Sequence, residues 1–271
     1  MNLVEIDNLL TRKFSPKEYS IKSEVYGLHY NEGNNEKIIK KVILTVDLNL
    51  DAIQYAIINR VNLIISHHGL FQKNLKKFDS NLIKKLNLLS NYPISIFVLN
   101  TPYICAEDGV SETLMDILYL KLDDVFKIQI KPFLEIPIGR ICYPKPYNSK
   151  EESMTLEKIL QRVKVNLKMH HINYVGNLKR TINKICVIGS DLIYEKILTK
   201  AKNRGCDCVI SFKIDHHLAE FAYDIDLTLI AVSHYQIENI SLRKLCNILS
   251  LEYPKCEFSL YESNDPQKIY F

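Results

Sequence analysis

Short apolar runs alternate with amphipathic stretches along most of the chain. Lys41 to Val46, Asn62 to Ile65 and Ile94 to Leu99 are nearly all apolar, the pattern of strands covered on both faces. Between them, Asp51 to Arg60 repeats Ile53, Ala56, Ile57 and Arg60 at helical spacing, and Asn81 to Ser90 turns Leu82, Ile83, Leu86 and Leu89 inward. Met1 to Phe14 reads as an amphipathic helix with Leu3, Ile6, Leu9 and Leu10 on one face. Lys22 to Leu28 reads as a strand, His29 to Lys37 as a polar loop, Asn100 to Gly109 as a long loop, and Val110 to Tyr119 as a helix. From Thr181 the rhythm returns. Strands are expected at Lys184–Ile188, Asp207–Phe212 and Leu227–Val232, with helices at Leu192–Asn203, Leu218–Tyr223 and Gln236–Leu249. The stretch from Asp123 to Gly176 differs, with four prolines, short strands near Gly139 to Cys142, and a helix near Leu156 to Val165. Alternating strands and helices predict an α/β fold. Its expected parts are an α/β portion over residues 1–122, a smaller α+β middle lobe over 123–180, and an α/β portion over 181–271 that completes the same fold.

Composition changes this picture little. With 271 residues, 47% hydrophobic and 24% charged, the chain is an ordinary globular protein. A net charge of +4 gives no clear nucleic-acid signal, and Lys73, Lys76 and Lys77 read as a solvated face. The seven cysteines contain no CxxC, and Cys206 and Cys208 should face opposite ways on a strand. That is the usage of reduced thiols in an intracellular protein. The opening MNLVEIDNLL carries acids and no long apolar core, and no apolar run reaches membrane length. These features predict a cytoplasmic protein without a membrane partner.

The histidines carry the chemistry. Six of the eight stand as adjacent pairs, and His67-His68 follows directly on the strand Asn62 to Ile65. Sites in open α/β sheets lie at the carboxyl ends of strands, and imidazole is the commonest metal ligand. Neighbouring residues on a strand face opposite sides, so this pair can share a site only if the strand has ended, with Gly69 permitting a turn. Otherwise the two rings are separately satisfied. His170-His171, within the alternating LKMHHINYV, should point to two faces. Asp215-His216-His217 and His234 follow further strands. In His234-x-x-x-Glu238, helical winding would set an imidazole and a carboxylate on one face as ready metal ligands. The same Glu also suits a helix start by itself.

Three blocks resemble the NIF-three-like proteins, whose bacterial members are called GTP cyclohydrolase type 1, type 2 homologues. They are LIISHHGLF (Leu63–Phe71), FVLNTPYICAEDGVSETL (Phe97–Leu114) and VISFKIDHHLAEFAYDIDLTLIAVSHYQIE (Val209–Glu238). The resemblance covers nearly the whole chain. It implies a two-part α/β protein in a hexamer, with a two-metal site between the parts and ligands falling on His67, His68, His234 and Glu238. The chain departs from the family pattern at four places. Ile104 replaces a metal-binding aspartate, Asn100 a histidine, Gly69 a proline, and Phe212-Lys213 a glycine–aspartate pair.

One glutamate cannot offset two divalent ions, and three histidines with one glutamate suit a single zinc-like or iron-like ion. Two classes of function follow. The first is a metal-dependent hydrolase acting on a nucleotide-like or phosphorylated small molecule, with His216 or His217 in proton transfer or substrate contact. The second is a non-catalytic regulatory or protein-interaction scaffold of the same fold, in keeping with the family's name as an interacting factor.

Overall fold

The computed structural model describes residues 1–21, 24–30, 37–71, 78–132, 134–146, 153–263, 265 and 267. Lys73, Lys76 and Lys77 lie outside them, as do residues 31–36 of the polar loop expected between His29 and Lys37. The chain forms two compact units, residues 1–108 with 238–271, and residues 109–237.

The first unit contains α1 (Leu3–Leu9), β1 (Gly27–Tyr30), β2 (Lys41–Thr45), α2 (Leu50–Ile58), β3 (Leu63–Ser66), α3 (Ser80–Ser90), β4 (Ser95–Val98) and α4 (Asn100–Cys105). The second contains α5 (Val110–Ile117), β5 (Leu120–Lys131), β6 (Leu134–Pro144), α6 (Leu156–Asn166), β7 (Tyr174–Val175), β8 (Ile185–Ile188), α7 (Glu195–Asn203), β9 (Cys208–Ser211), α8 (His216–Asp224) and β10 (Thr228–Ala231). Helix α9 (His234–Glu252) begins in the second unit and continues into the first, which β11 (Glu257–Leu260) completes.

In the first unit the sheet runs β1-β4-β3-β2-β11, with β1 antiparallel and the other pairings parallel. Every residue of β3 and β4 is buried. On one face Ile43, Ile64, Ile96 and Val98 pack with Ile53 and Ala56 of α2 and Leu82 and Leu89 of α3. Each such side chain contributes about 1.5–3 kcal/mol by leaving water. Local chemistry sets the helix starts: the side chains of Asn49 and Asp79 each accept a backbone N–H at 2.8 Å, from Ala52 and Leu82. Contrary to the periodicity, Ile83 is 46% exposed, because α3 buries the Leu82–Leu89 side instead.

In the second unit the order is β5-β6-β8-β9-β10-β7, with a parallel β8-β9-β10 centre. The long β5–β6 hairpin pairs through β6 with β8. Strands of the 123–180 stretch therefore share one sheet with those of 185–231. Ser111 at the start of α5 donates to the Ile138 carbonyl (2.7 Å) and accepts from the Gly189 N–H (3.0 Å), tying the helix to β6 and β8.

Several elements differ from the pattern reading. The first helix ends as α-helix at Leu9 and widens by one residue per turn in a π-helical segment at Leu10–Phe14, where the Ser15 N–H reaches the Leu10 carbonyl at 2.7 Å. The strand expected from Lys22 begins at Gly27. Part of the expected 100–109 loop is α4, which accepts Pro102 because a helix's first turn has no intrahelical use for that N–H. His170 and His171 lie outside any strand and are exposed. Edge strand β11 has no counterpart among the expected elements.

Candidate metal centre

Strand β3 stops at Ser66, but its neighbours hold the chain for two more residues. The backbone N–H groups of His67 and His68 donate to the carbonyls of Thr45 (3.0 Å) and Val46 (2.9 Å), and Asn100 N–H donates to the His67 carbonyl (3.0 Å). The pair is thus fixed at the carboxyl end of a parallel sheet. The rings meet edge to face, with centroids 4.8 Å apart. Gly69 serves this corner through space rather than through a left-handed turn: a Cβ there would come 2.8 Å from Val25 Cγ1.

Glu238 reaches the same place from α9. Its Oε1 lies 2.9 Å from His67 Nε2, and its Oε2 lies 3.0 Å from His68 Nε2. The glutamate and His67 side chains are 1% exposed and that of His68 is 35% exposed. Tyr103 of α4 supports the arrangement, since its hydroxyl donates to the Ser241 carbonyl on α9 at 2.7 Å. Full burial pushes the Tyr103 hydroxyl pKa well up, so it stays a proton donor.

A buried carboxylate needs a compensating charge or donors. Without an ion, His68 Nε2 is placed to hydrogen-bond Glu238 Oε2, and His67 Nε2 lies beside Oε1 at ion-pair distance. The same nitrogens, when deprotonated, carry lone pairs that can ligate an ion. Ligand atoms of His67, His68 and Glu238 all lie within 4.8 Å of one another. Two ligands on a tetrahedral zinc-like ion stand about 3.3 Å apart, so the observed 2.9 and 3.0 Å separations need to open by only a few tenths of an ångström. The donor set of two imidazoles and one carboxylate fits a single transition-metal ion.

Among the sequence-derived candidates, the structure brings His67, His68 and Glu238 into that group. His234 is the first residue of α9, four before Glu238, and its ring stacks on Phe212. His216 and His217 begin α8, are both exposed, and have ring centroids 5.8 Å apart; Asp215 caps that helix by accepting from Leu218 N–H at 2.9 Å. Ile104 is buried on α4 and offers no donor atom. The Asn100 side chain is used by backbone, donating to the Val25 carbonyl (3.0 Å) and accepting from Thr101 N–H (3.1 Å). Asp108 pairs with Lys244 at 2.8 Å. Pattern reading did not find Tyr103 or Glu24, whose carboxylate accepts from Thr101 N–H at 3.3 Å. No local motif marks these two, and Phe212 stands out only as a departure from the family pattern.

The family profile Duf34/NIF3 (NGG1p interacting factor 3) matches residues 1–267. The chain belongs to this family. Relatives of this DUF34/NIF3 protein include a Clostridium acetobutylicum protein named GTP cyclohydrolase 1 type 2 homolog, 25% identical over 224 residues, covering 81% of this chain and 80% of that one. A Methanocaldococcus jannaschii protein of the same name is 24% identical over 238 residues, covering 88% of this chain and 90% of that one. Among solved structures, a Bacillus cereus protein related to NIF3 superposes with a TM-score of 0.81 at 17% identity, covering 100% of this chain and 99% of that one. A Staphylococcus aureus protein gives 0.82 at 20% identity with the same coverage. At these identities the superpositions establish the two-lobed α/β fold. Among the described residues, no helix is long and apolar enough to cross a membrane.

Proposed function

We propose that this DUF34/NIF3 protein binds one divalent transition-metal ion through His67, His68 and Glu238, with His234 as fourth ligand, and uses it in hydrolysis of a nucleotide-like or phosphorylated small molecule. One observation carries the reading: a buried glutamate offers each of its oxygens to a different imidazole nitrogen, at 2.9 and 3.0 Å. His234 is included because it precedes Glu238 by one helical turn, the spacing that puts two side chains on one face. Bound there, an ion would supply Lewis-acid activation of water. The chain's own part is to hold two imidazoles in fixed orientation, keep water from His67 and Glu238, and accept or release the imidazole protons. His216 and His217 are the candidates for proton transfer or substrate contact, on the strength of their exposed rings. The nucleotide-like substrate class draws support from the name of the relatives, GTP cyclohydrolase 1 type 2 homolog. We take the working state to be a cytoplasmic homo-oligomer, a hexamer, in line with the family resemblance.

The limited charge of the site favours a second reading, a non-catalytic interaction scaffold. Glu238 is the one carboxylate in the described group, and apolar Ile104 stands where the resemblance expects an aspartate. Elemental analysis of purified protein, followed by hydrolysis assays on nucleotides and phosphomonoesters with and without chelator, separates the two. Chelator-sensitive turnover supports the enzyme. Stoichiometric metal without turnover supports the scaffold, and absence of metal after loading overturns the metal-dependent hydrolase.

A further inference from the structure

We propose that Tyr103 is a positioning residue for the metal-binding group, holding the His67 ring with its own ring and the Glu238 turn of α9 with its hydroxyl. The inference rests on the metal-binding reading above and concerns residues of the first unit alone.

Helix α4 starts against the His67 backbone, where Asn100 N–H donates to the His67 carbonyl at 3.0 Å. Glu24 fixes the same turn from another strand of chain, its carboxylate accepting from the Thr101 N–H and the Thr101 hydroxyl. Tyr103 extends from this anchored helix and is fully buried. Its ring centroid lies 6.1 Å from that of His67, with the planes 60° apart. Aromatic rings attract edge to face at such a separation. Rotation about χ2 is otherwise broad for histidine, so a ring contact of this kind restricts where the His67 nitrogens point.

The hydroxyl acts at the other ligand. It donates to the Ser241 carbonyl at 2.7 Å, and the Ser241 hydroxyl donates to the Glu238 carbonyl at 2.9 Å. Helical winding already commits the Ser241 carbonyl to the N–H four residues on, so α9 does not need the phenol. Filling the space does not need it either, because a phenyl group would do so without a buried hydroxyl to satisfy. What the hydroxyl adds is a link between the helix beside His67 and the helix that carries Glu238. The two ligand atoms stand 2.9 Å apart and must part by a few tenths of an ångström around an ion. A side chain joined to both limits how far they part, and groups already held lose less freedom on ligation.

Full-length protein is titrated with Co²⁺ against a chromophoric chelator, and the d–d absorption is recorded at saturation. The variants are Tyr103→Phe, Tyr103→Leu and, as a control for general loss of stability, Ile53→Val in the buried face of α2. Metal-free thermal melting is measured for each. Supporting partners of ligating residues typically change metal affinity 10–100-fold. Tyr103→Phe, which keeps the ring and removes the link, should weaken Co²⁺ binding about tenfold, and Tyr103→Leu about 50-fold. The d–d band of Tyr103→Leu should shift, since the angle at which His67 meets the ion is no longer fixed. Ile53→Val should lower the melting temperature with affinity and spectrum unchanged, because a uniform loss of stability leaves the affinity of a populated folded state as it was. Unchanged affinity in Tyr103→Phe overturns the proposal, and so does an unshifted band in Tyr103→Leu or an equal affinity loss in Ile53→Val. If Tyr103→Leu does not fold, the affinity of Tyr103→Phe decides. If Glu238→Gln abolishes binding while the Tyr103 variants match the natural protein, this inference alone falls. If the natural protein binds no Co²⁺, the metal-binding reading falls with it.

Discussion

His67-His68 and His216-His217 are both adjacent histidine pairs following buried strands with parallel neighbours, yet their surroundings differ completely. His67 comes one residue after the last residue of β3, while sheet neighbours still hold its backbone, and its side chain is buried against Glu238. His216 comes after the four-residue segment Phe212–Asp215 that leaves β9, and there the chain is already turning into α8. Asp215 satisfies that helix's start, and both rings face solvent, with His216 reaching Glu220 at 3.4 Å. A histidine pair can share one carboxylate where the sheet still grips the backbone and the carboxylate arrives from elsewhere. When a helix start intervenes, the same dipeptide is a surface feature.

The largest test of this contrast is Glu238→Gln. It keeps the shape and removes the charge, and metal affinity should fall more than about 100-fold, beyond the loss expected from a mere supporting residue. His216→Ala and His217→Ala should leave metal content unchanged by elemental analysis. Metal loss in the latter pair would erase the distinction. Next in size, His67→Ala leaves a buried carboxylate short of a partner, and urea unfolding of the metal-free protein should show a loss of about 3–5 kcal/mol. His217→Ala, exposed, should stay within about 0.5 kcal/mol.

Acid should also separate the regions. Ligation needs neutral imidazole, so the proton competes with the ion: loading is complete above the imidazole titration range and falls as pH drops through it. Dialysis at a fixed zinc concentration across that range measures the effect, and the Glu238→Gln variant should show little of it. Ile104→Asp supplies a carboxylate in the last turn of α4, and should raise stoichiometry from one ion toward two. An unchanged count by elemental analysis would mean that the α4 position does not address the site. The smallest effect is expected at Asp215→Ala, which removes a helix cap. It should cost about 1 kcal/mol in thermal or urea unfolding without altering metal content.

Much of the architecture is legible in local patterns. Lys41–Val46, Asn62–Ile65 and Ile94–Leu99 announce β2, β3 and β4 because strands covered on both faces must be apolar throughout. Asp51–Arg60 and Asn81–Ser90 announce α2 and α3 through helical spacing. Their order also predicts the parallel sheet and the placing of His67-His68 at its carboxyl edge. Such signals are readable because they depend on neighbours a few residues apart.

Other features depend on contacts between distant segments. Glu238 meets His68 from 170 positions away, and only the folded course of α9 brings it there. The edge strand β11 has a weakly buried pattern and is defined by pairing with β2. The β5–β6 hairpin reads as a separate lobe until β6 pairs with β8. Gly69 looks like a turn residue in sequence, whereas its use is the approach of Val25. By itself, the sequence determined the central parallel strands, most helices and the donor types, since hydrophobic period and side-chain chemistry are local properties. Tertiary structure alone decided which histidines share a carboxylate and which face water, because burial and donor geometry arise only when segments far apart in the chain are packed together.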